Sequence, residues 1–262
     1  MEYTIGQISR LLGLSIEGIR NYEKGGIIRS KRTEASNYRK YSYLDITSLI
    51  RARMYRSLGF SITETSYLTN EGSIEEILGR LSAQKEALRR EIILAEHKLK
   101  RLSEIEQSLD ALEGELNRVT LCESPAVYRV EFSHNGVVDF SERTVATFQA
   151  WMDCAPFVYV SSRYCRGEVY GGLAIDEKYA ELLNIKPDDV VQFHPASMGL
   201  RLTVMEEDND YSDVNVLSML HEYADRHSFT LSEDMIGHTV IGVNKIRAYR
   251  RYRRIYADIK DM

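Results

Sequence analysis

An apolar residue returns at every seventh position through Ile74, Leu81, Leu88, Ala95, Leu102, Leu109 and Leu116, and this unbroken repeat constrains the chain more than any other feature. Leu78, Ile92 and Leu99 supply a second seam position, and Ile105 with Leu112 continue it after a one-residue shift. The spacing predicts a single long helix over residues 73–118. A lone helix cannot bury such a stripe on itself, so a partner helix must cover it, and a homodimer through residues 74–116 is expected. The alternative is an ordinary core helix within one chain, for which this run is long.

The repeat separates two segments of different character. Residues 1–70 read as short helices: "TIGQISRLLG" places Ile5, Ile8, Leu11 and Leu12 on one face, with Thr4 as N-cap and Gly13 as the stop. "LSIEGIRNYEKGG" restarts at Ser15 and closes on Gly25 and Gly26, which makes a helix-turn-helix pattern. The basic stretch "IIRSKRTEASNYRKYS" follows, with a hairpin expected around "TEASN". Residues 124–262 change period. Strand-like "PAVYRVEF", "FVYVSSRY", "EVYGGLAI" and "GLRLTVME" alternate with helical runs near 140–152, 176–184 and 211–227. The expected fold is therefore multidomain, α and α+β, with a C-terminal domain of two β-α-β-β units that suggest duplication.

Charge is distributed unevenly. Residues 1–60 hold eleven Lys/Arg against five Asp/Glu, although the whole chain is net −5. Binding phosphate requires local, not global, positive charge, so the basic end points to nucleic acid. Ser15, Ile16, Glu17, Gly18, Arg20 and Asn21 on the second helix can enter a major groove. Arg20 and Tyr22 are placed for phosphates, and Asn21 or Glu17 for a base edge. Arg32, Tyr38, Arg39 and Lys40 suit a wing along the backbone, with Tyr38 equally able to pack the hairpin. Cys122, Cys154 and Cys165 form neither a disulfide framework nor a zinc spacing, and no apolar run is long enough to span a membrane. The N-terminus lacks a signal-peptide pattern, so a cytoplasmic location is expected.

The blocks "YTIGQIS", "GLS", "IRNYE", "GII", "NYRKYS", "LDI" and "RSLGFSITE", in this order over residues 3–68, resemble the DNA-binding domain of the MerR family of transcription regulators. The resemblance implies a winged helix-turn-helix, with Thr4 among its DNA-contacting residues, followed by an antiparallel coiled-coil dimerisation helix. It further implies a dimer on promoter DNA whose spacer is too long. Effector binding would then untwist and bend the DNA so that RNA polymerase holoenzyme engages both promoter elements. Glu17, Gly18 and Asn21 depart from residues common in the family, and an unusual operator is expected.

The C-terminal segment resembles the GyrI-like effector-binding domain of multidrug-sensing members through its β-α-β-β order, "VYGGLAI", and "HEYADRHSFTLSEDMIGHTVIG" before a last aromatic strand. Such a domain implies a small organic ligand in an aromatic cleft. The candidates are Phe148, Trp151, Tyr159, Tyr164, Tyr170, Tyr252 and Tyr256, with Glu168, Asp176 and Glu222 as acids. Arg250 and Arg254 stand where drug-binding relatives carry a glutamate, so the expected ligand is not a simple lipophilic cation, with an anion as the further option. No cysteine precedes residue 122, which argues against a metal effector, and no cofactor is expected. No nucleophile, phosphate loop or paired-carboxylate motif points to catalysis, and His221 with Glu222 reads as a solvated helix face. Three alternatives stay open: weak hydrolase activity in the C-terminal domain, a repressor without ligand control, and a coiled-coil adaptor that binds no DNA.

Overall fold

The computed structural model describes residues 2–33, 36–207, 214–245 and 248–261, with the side chains of residues 32, 33, 36–38, 214–216, 245, 248 and 261 outside that description. Two compact units emerge, residues 1–95 and 96–262, and the division falls inside the longest helix.

The first unit runs β1 (Tyr3–Thr4), α1 (Ile5–Leu12), α2 (Ile16–Lys24), β2 (Lys31–Thr33), β3 (Ser36–Tyr41), α3 (Tyr43–Ser57) and α4 (Ile62–Asn70), then enters α5 (Ile74–Asp110). Short polar residues define where the helices begin. Thr4, Ser42 and Ser61 each accept from the third backbone N–H of a helix, while Gln7, Asp45 and Glu64 reach back to the cap. Ile8, Ile19, Ile27, Ile28, Tyr41, Ile46, Leu49 and Ala52 close around one core, which fixes α2 against α1 and α3. The three strands form a small antiparallel sheet in the order β1-β3-β2, so the basic stretch is a wing. Ile77 and Leu81 of α5 pack on a second cluster of Tyr55, Phe60 and Leu68.

The second unit contains the end of α5, then α6 (Leu112–Glu115), β4 (Val119–Glu123), β5 (Val127–His134), β6 (Val137–Val138), α7 (Glu142–Met152), β7 (Val158–Cys165), β8 (Glu168–Asp176), β9 (Gln192–His194), β10 (Met198–Glu207), α8 (Val214–Arg226), β11 (Thr230–Lys245) and β12 (Ala248–Asp261). Eight strands hydrogen-bond in the order β4-β10-β12-β11-β7-β8-β5-β6, and β9 pairs with β5. Apart from the two-residue β6, the runs β5-β6-α7-β7-β8 and β10-α8-β11-β12 share one order of elements, and they meet at the antiparallel pair β7·β11. Strand alternation gives the sheet two faces. One carries Leu200, Leu202, Val204, Met235, Ile255 and Ala257, which α8 covers with Leu220 and Ala224. The other presents Tyr159, Ser161, Arg163, His238, Arg254, Tyr256 and Arg201, and this polar face holds the cavity described below.

Three sequence expectations change. The helix predicted over 73–118 ends at Asp110, and a turn at Ala111 separates it from the four-residue α6. Ile105 and Leu112, expected to continue the dimer seam, are used within the second unit: Leu112 is buried, α6 lies on β10, and Leu116 bridges Thr203. The C-terminal unit consequently begins well before residue 124. Segment 176–184, expected to be helical, holds only a 3-10 turn at Glu177–Tyr179. There the buried Tyr179 ring sits 4.6 Å from Phe157, and its hydroxyl donates to Glu104 Oε2 at 2.9 Å. No helix among the described residues is long and apolar enough to cross a membrane.

Candidate functional site

Two sites take shape, one in each unit. In the first, Ile19 is the fully buried residue of α2, which turns Ile16, Glu17, Arg20, Asn21 and Lys24 outward. Ser15 Oγ accepts from Gly18 N at 2.9 Å and caps the helix. A Cβ on Gly18 would stand 3.1 Å from that hydroxyl, so the glycine leaves room for the cap. Thr4 likewise caps α1, and the Tyr22 ring packs against the core, so these three expected DNA-contacting residues have structural work on α1 and α2. Glu23 ties the recognition helix to the wing: it accepts from Ser30 N at 3.3 Å, from Tyr41 Oη at 3.5 Å and from Arg39 Nε at 3.3 Å. Arg39 is thus held at the foot of the wing, with Lys40 beside it on β3, paired with Lys31 and Thr4. The side chains of Arg32 and Tyr38 lie outside the described residues.

In the second unit, a cavity of about 390 Å³ opens between the polar sheet face and the last turns of α5. Of the residues expected around a ligand, it brings together Tyr159, Asp176, Arg254 and Tyr256. Tyr252 shares their strand face without lining the cavity. Phe148 of α7 pairs with Phe132 of β5 at 5.1 Å, Trp151 is buried in α7, and Tyr164 is buried on the opposite sheet face. Glu168 and Tyr170 bond each other at 2.7 Å at the β8 end near His134. Strand parity sends Tyr164 to the apolar face, Phe148 and Trp151 lie on α7, and Glu168, Tyr170 and Tyr252 sit along the strands away from the cavity.

Apart from Asp176, the cavity's remaining residues carry no signal in the sequence that marks them for a ligand. Arg101, Glu104, Ser108 and Glu115 recur at helical spacing beside the leucine seam, a pattern that reads as a solvated face until a sheet is known to lie opposite. Glu115 is gripped from two strands: Arg254 Nε reaches Oε2 at 2.8 Å and Arg201 reaches Oε1 at 3.2 Å. Arg254 also donates to Ser108 Oγ at 3.1 Å and to its carbonyl at 3.2 Å. The Tyr159 hydroxyl donates to Asp176 Oδ1 at 2.6 Å, and burial with that carboxylate pushes its pKa well above the ordinary value. Burial raises Glu104, but bonds from Lys178 and Tyr179 outweigh it and hold the carboxyl below its usual range.

His238 stands between Tyr159 and Tyr256, at 5.1 and 5.3 Å between ring centroids, and burial presses its pKa down to about 4 against the opposing charge of Asp176. The unfolded chain takes up this proton near pH 6.5 and the folded one only near 4, so stability falls as pH drops through that window. The full contribution is on the order of 3 kcal/mol, of which about 2 kcal/mol is gone at pH 5. Thermal denaturation at pH 7 and pH 5 should show a larger drop for the native chain than for His238→Gln. His194, lowered by burial in the same direction, leaves part of the dependence in place.

Residues 3–70 match the family described as MerR HTH family regulatory protein. The "Heavy metal-dependent transcription regulator 1" of Rhizobium meliloti is 33% identical over 110 residues, which span 42% of this chain and 67% of that protein. The chain belongs to the MerR family. A Haemophilus influenzae protein named "Probable heavy metal-dependent transcriptional regulator" is 38% identical over 64 residues, 24% of this chain and 50% of that one. The chain therefore spans half the length of that relative. Among solved structures, one of EcmrR bound to DNA matches this MerR-family chain at 19% identity, covering 99% of this chain and 100% of that one at a TM-score of 0.40. As a family member, it is related to transcriptional regulators that bind DNA.

Proposed function

We propose that the protein is a ligand-responsive transcriptional regulator that binds promoter DNA as a homodimer, with α2 in the major groove and the wing on the backbone. A small organic molecule in the cavity of the second unit shifts the dimer to a form that distorts the promoter spacer, so that RNA polymerase engages both elements. The second unit is a GyrI-like effector domain with two duplicated β-α-β-β halves, and its effector is organic. The two heavy-metal regulators named above match 24% and 42% of this chain, and its residues 1–121 hold no cysteine.

The observation that carries this reading is the outward face of α2, with Glu17, Arg20, Asn21 and Lys24 free of intrachain bonds among the described residues, on a unit whose core rigidly fixes that helix. Fluorescence anisotropy on DNA from upstream of the protein's own gene tests it. Arg20→Ala should weaken binding across sequences and reduce the slope of log affinity against log salt by about 1 per protomer. Glu17→Ala should change which operator variants are preferred while leaving the salt slope alone. Failure to bind the upstream DNA at low salt would reject the regulator reading in favour of an adaptor.

A further inference from the structure

We propose that the cavity of the second unit is built for an aromatic carboxylate or similar organic anion, held by Arg201 and Arg254 with its ring against Tyr256, His238 and Tyr159. This rests on the effector reading above and adds the ligand's charge and shape. A census of hydrogen-bonding capacity at the cavity wall carries it.

Every carboxylate oxygen facing the cavity already accepts from the chain. Glu115 takes Arg201 on one oxygen, and Arg254 and Thr203 on the other. Asp176 takes Tyr159 on one and Lys178 on the other, at 2.6 and 3.5 Å. Glu104 takes Lys178 at 2.7 Å on one oxygen, and Tyr179 with Arg101 on the other. Each of these acids is already paired with an arginine or lysine, so a cationic ligand would add positive charge to a wall where basic side chains outnumber acidic ones.

The guanidiniums on the wall keep unused donors. A guanidinium has five N–H donors, and among the described residues Arg201 makes one polar contact, to Glu115. Lys178 and Arg101 bring the basic residues on the wall to four against three acids. His238 Nε2 is buried with no partner among the described residues, and it donates in the tautomer that carries its proton there. Arg201 and Arg254 lie on neighbouring strands and converge on the same carboxylate, so Glu115 occupies the place an incoming carboxylate would take. The three rings supply an aromatic surface beside it. The carboxylate that competes with the ligand comes from α6, at the end of the linker helix.

Calorimetric titration of the full-length protein with three ligands sharing one ring system tests the charge: 2-naphthoate, neutral 2-naphthamide and cationic 2-naphthylmethylammonium. Naphthoate should bind at least about tenfold more tightly than the amide, with the ammonium weakest, as expected for a charge met by two guanidiniums in a partly desolvated site. Glu115→Gln, which removes the internal competitor, should tighten naphthoate by about tenfold. Because Glu115 also anchors α6, Arg201→Gln serves as a second variant; it leaves the Glu115–Arg254 contact standing and should erase the preference for naphthoate over the amide. Tightest binding of the ammonium, or equal binding of acid and amide, overturns the proposal while the effector cavity stands. If none of the three binds to protein that still binds DNA, the effector reading of the cavity fails, and this inference fails with it.

Discussion

Leu88→Glu should turn the protein into a monomer and lower its affinity for operator DNA by about a hundredfold or more, the loss expected when two linked binding sites become independent. The exposed part of the apolar stripe on α5 lies between Ile74 and Leu102, except for Leu81, which packs on the cluster of Tyr55, Phe60 and Leu68. Ile74, Leu78, Ile92, Leu99 and Leu102 are 79, 60, 58, 65 and 57% exposed within one chain. Full burial of each such side chain is worth about 1.5–3 kcal/mol, so leaving the stripe in water is costly and a second copy of α5 is its natural cover. Leu88 is the midpoint of that free stretch. In an antiparallel pair the two copies of a midpoint residue face each other, and a glutamate there sets two carboxylates in one apolar layer. Glutamate is also a good helix former, so helicity lost through intrinsic propensity is small. Light scattering at micromolar protein and anisotropy on operator DNA read the two consequences. A variant that stays dimeric at full DNA affinity would remove α5 as the dimer interface.

Helix α2, its cap and the β2-β3 pair were legible because they are local: a serine before an amphipathic turn, a glycine pair after it, and basic residues flanking a hairpin. Strands were legible from their period and their Val, Tyr and Leu content. What could not be seen was which face of each strand the sheet turns toward the cavity. Tyr159 and Tyr164 sit in one strand and look equivalent in sequence, yet their odd and even positions place them on opposite faces. The leucine seam misled for a related reason. Ile105 and Leu112 keep the apolar pattern going after the helix has changed partner, and periodicity does not say whether the covering surface is a second helix or a sheet. Glu104, Ser108 and Glu115 were passed over on the same ground, since a polar helix face acquires meaning only from what faces it.

Glu131→Gln should destabilise the second unit by about 3 kcal/mol, whereas Arg129→Met should change its stability by no more than about 1.5 kcal/mol. Arg129 is fully buried, with Nε donating to Ser161 Oγ at 3.0 Å and Nη1 to Glu131 Oε1 at 3.1 Å. Gly172 makes this approach possible, since a Cβ there would stand 3.0 Å from Nη2 and 2.3 Å from the Val130 carbonyl. Burial pulls the Arg129 pKa down and Glu131 pushes it back, so the carboxylate is what keeps the buried cation tolerable. Removing that charge strands a guanidinium away from water. Removing Arg129 does not strand Glu131, because Arg163 Nε still holds it at 2.7 Å while Arg163 Nη1 also holds Asp234 at 2.9 Å. The lower end of the range for breaking a buried pair is the fitting one for Glu131, whose side chain is 23% exposed. At roughly 2–4 °C per kcal/mol for a domain of this size, Glu131→Gln should lower the melting temperature by about 6–12 °C. The double variant Arg129→Met/Glu131→Gln, with the stranded charge gone, should recover most of that loss. Equal losses from the two single variants, or no recovery in the double, would mean that packing rather than the ion pair sets the cost at this site.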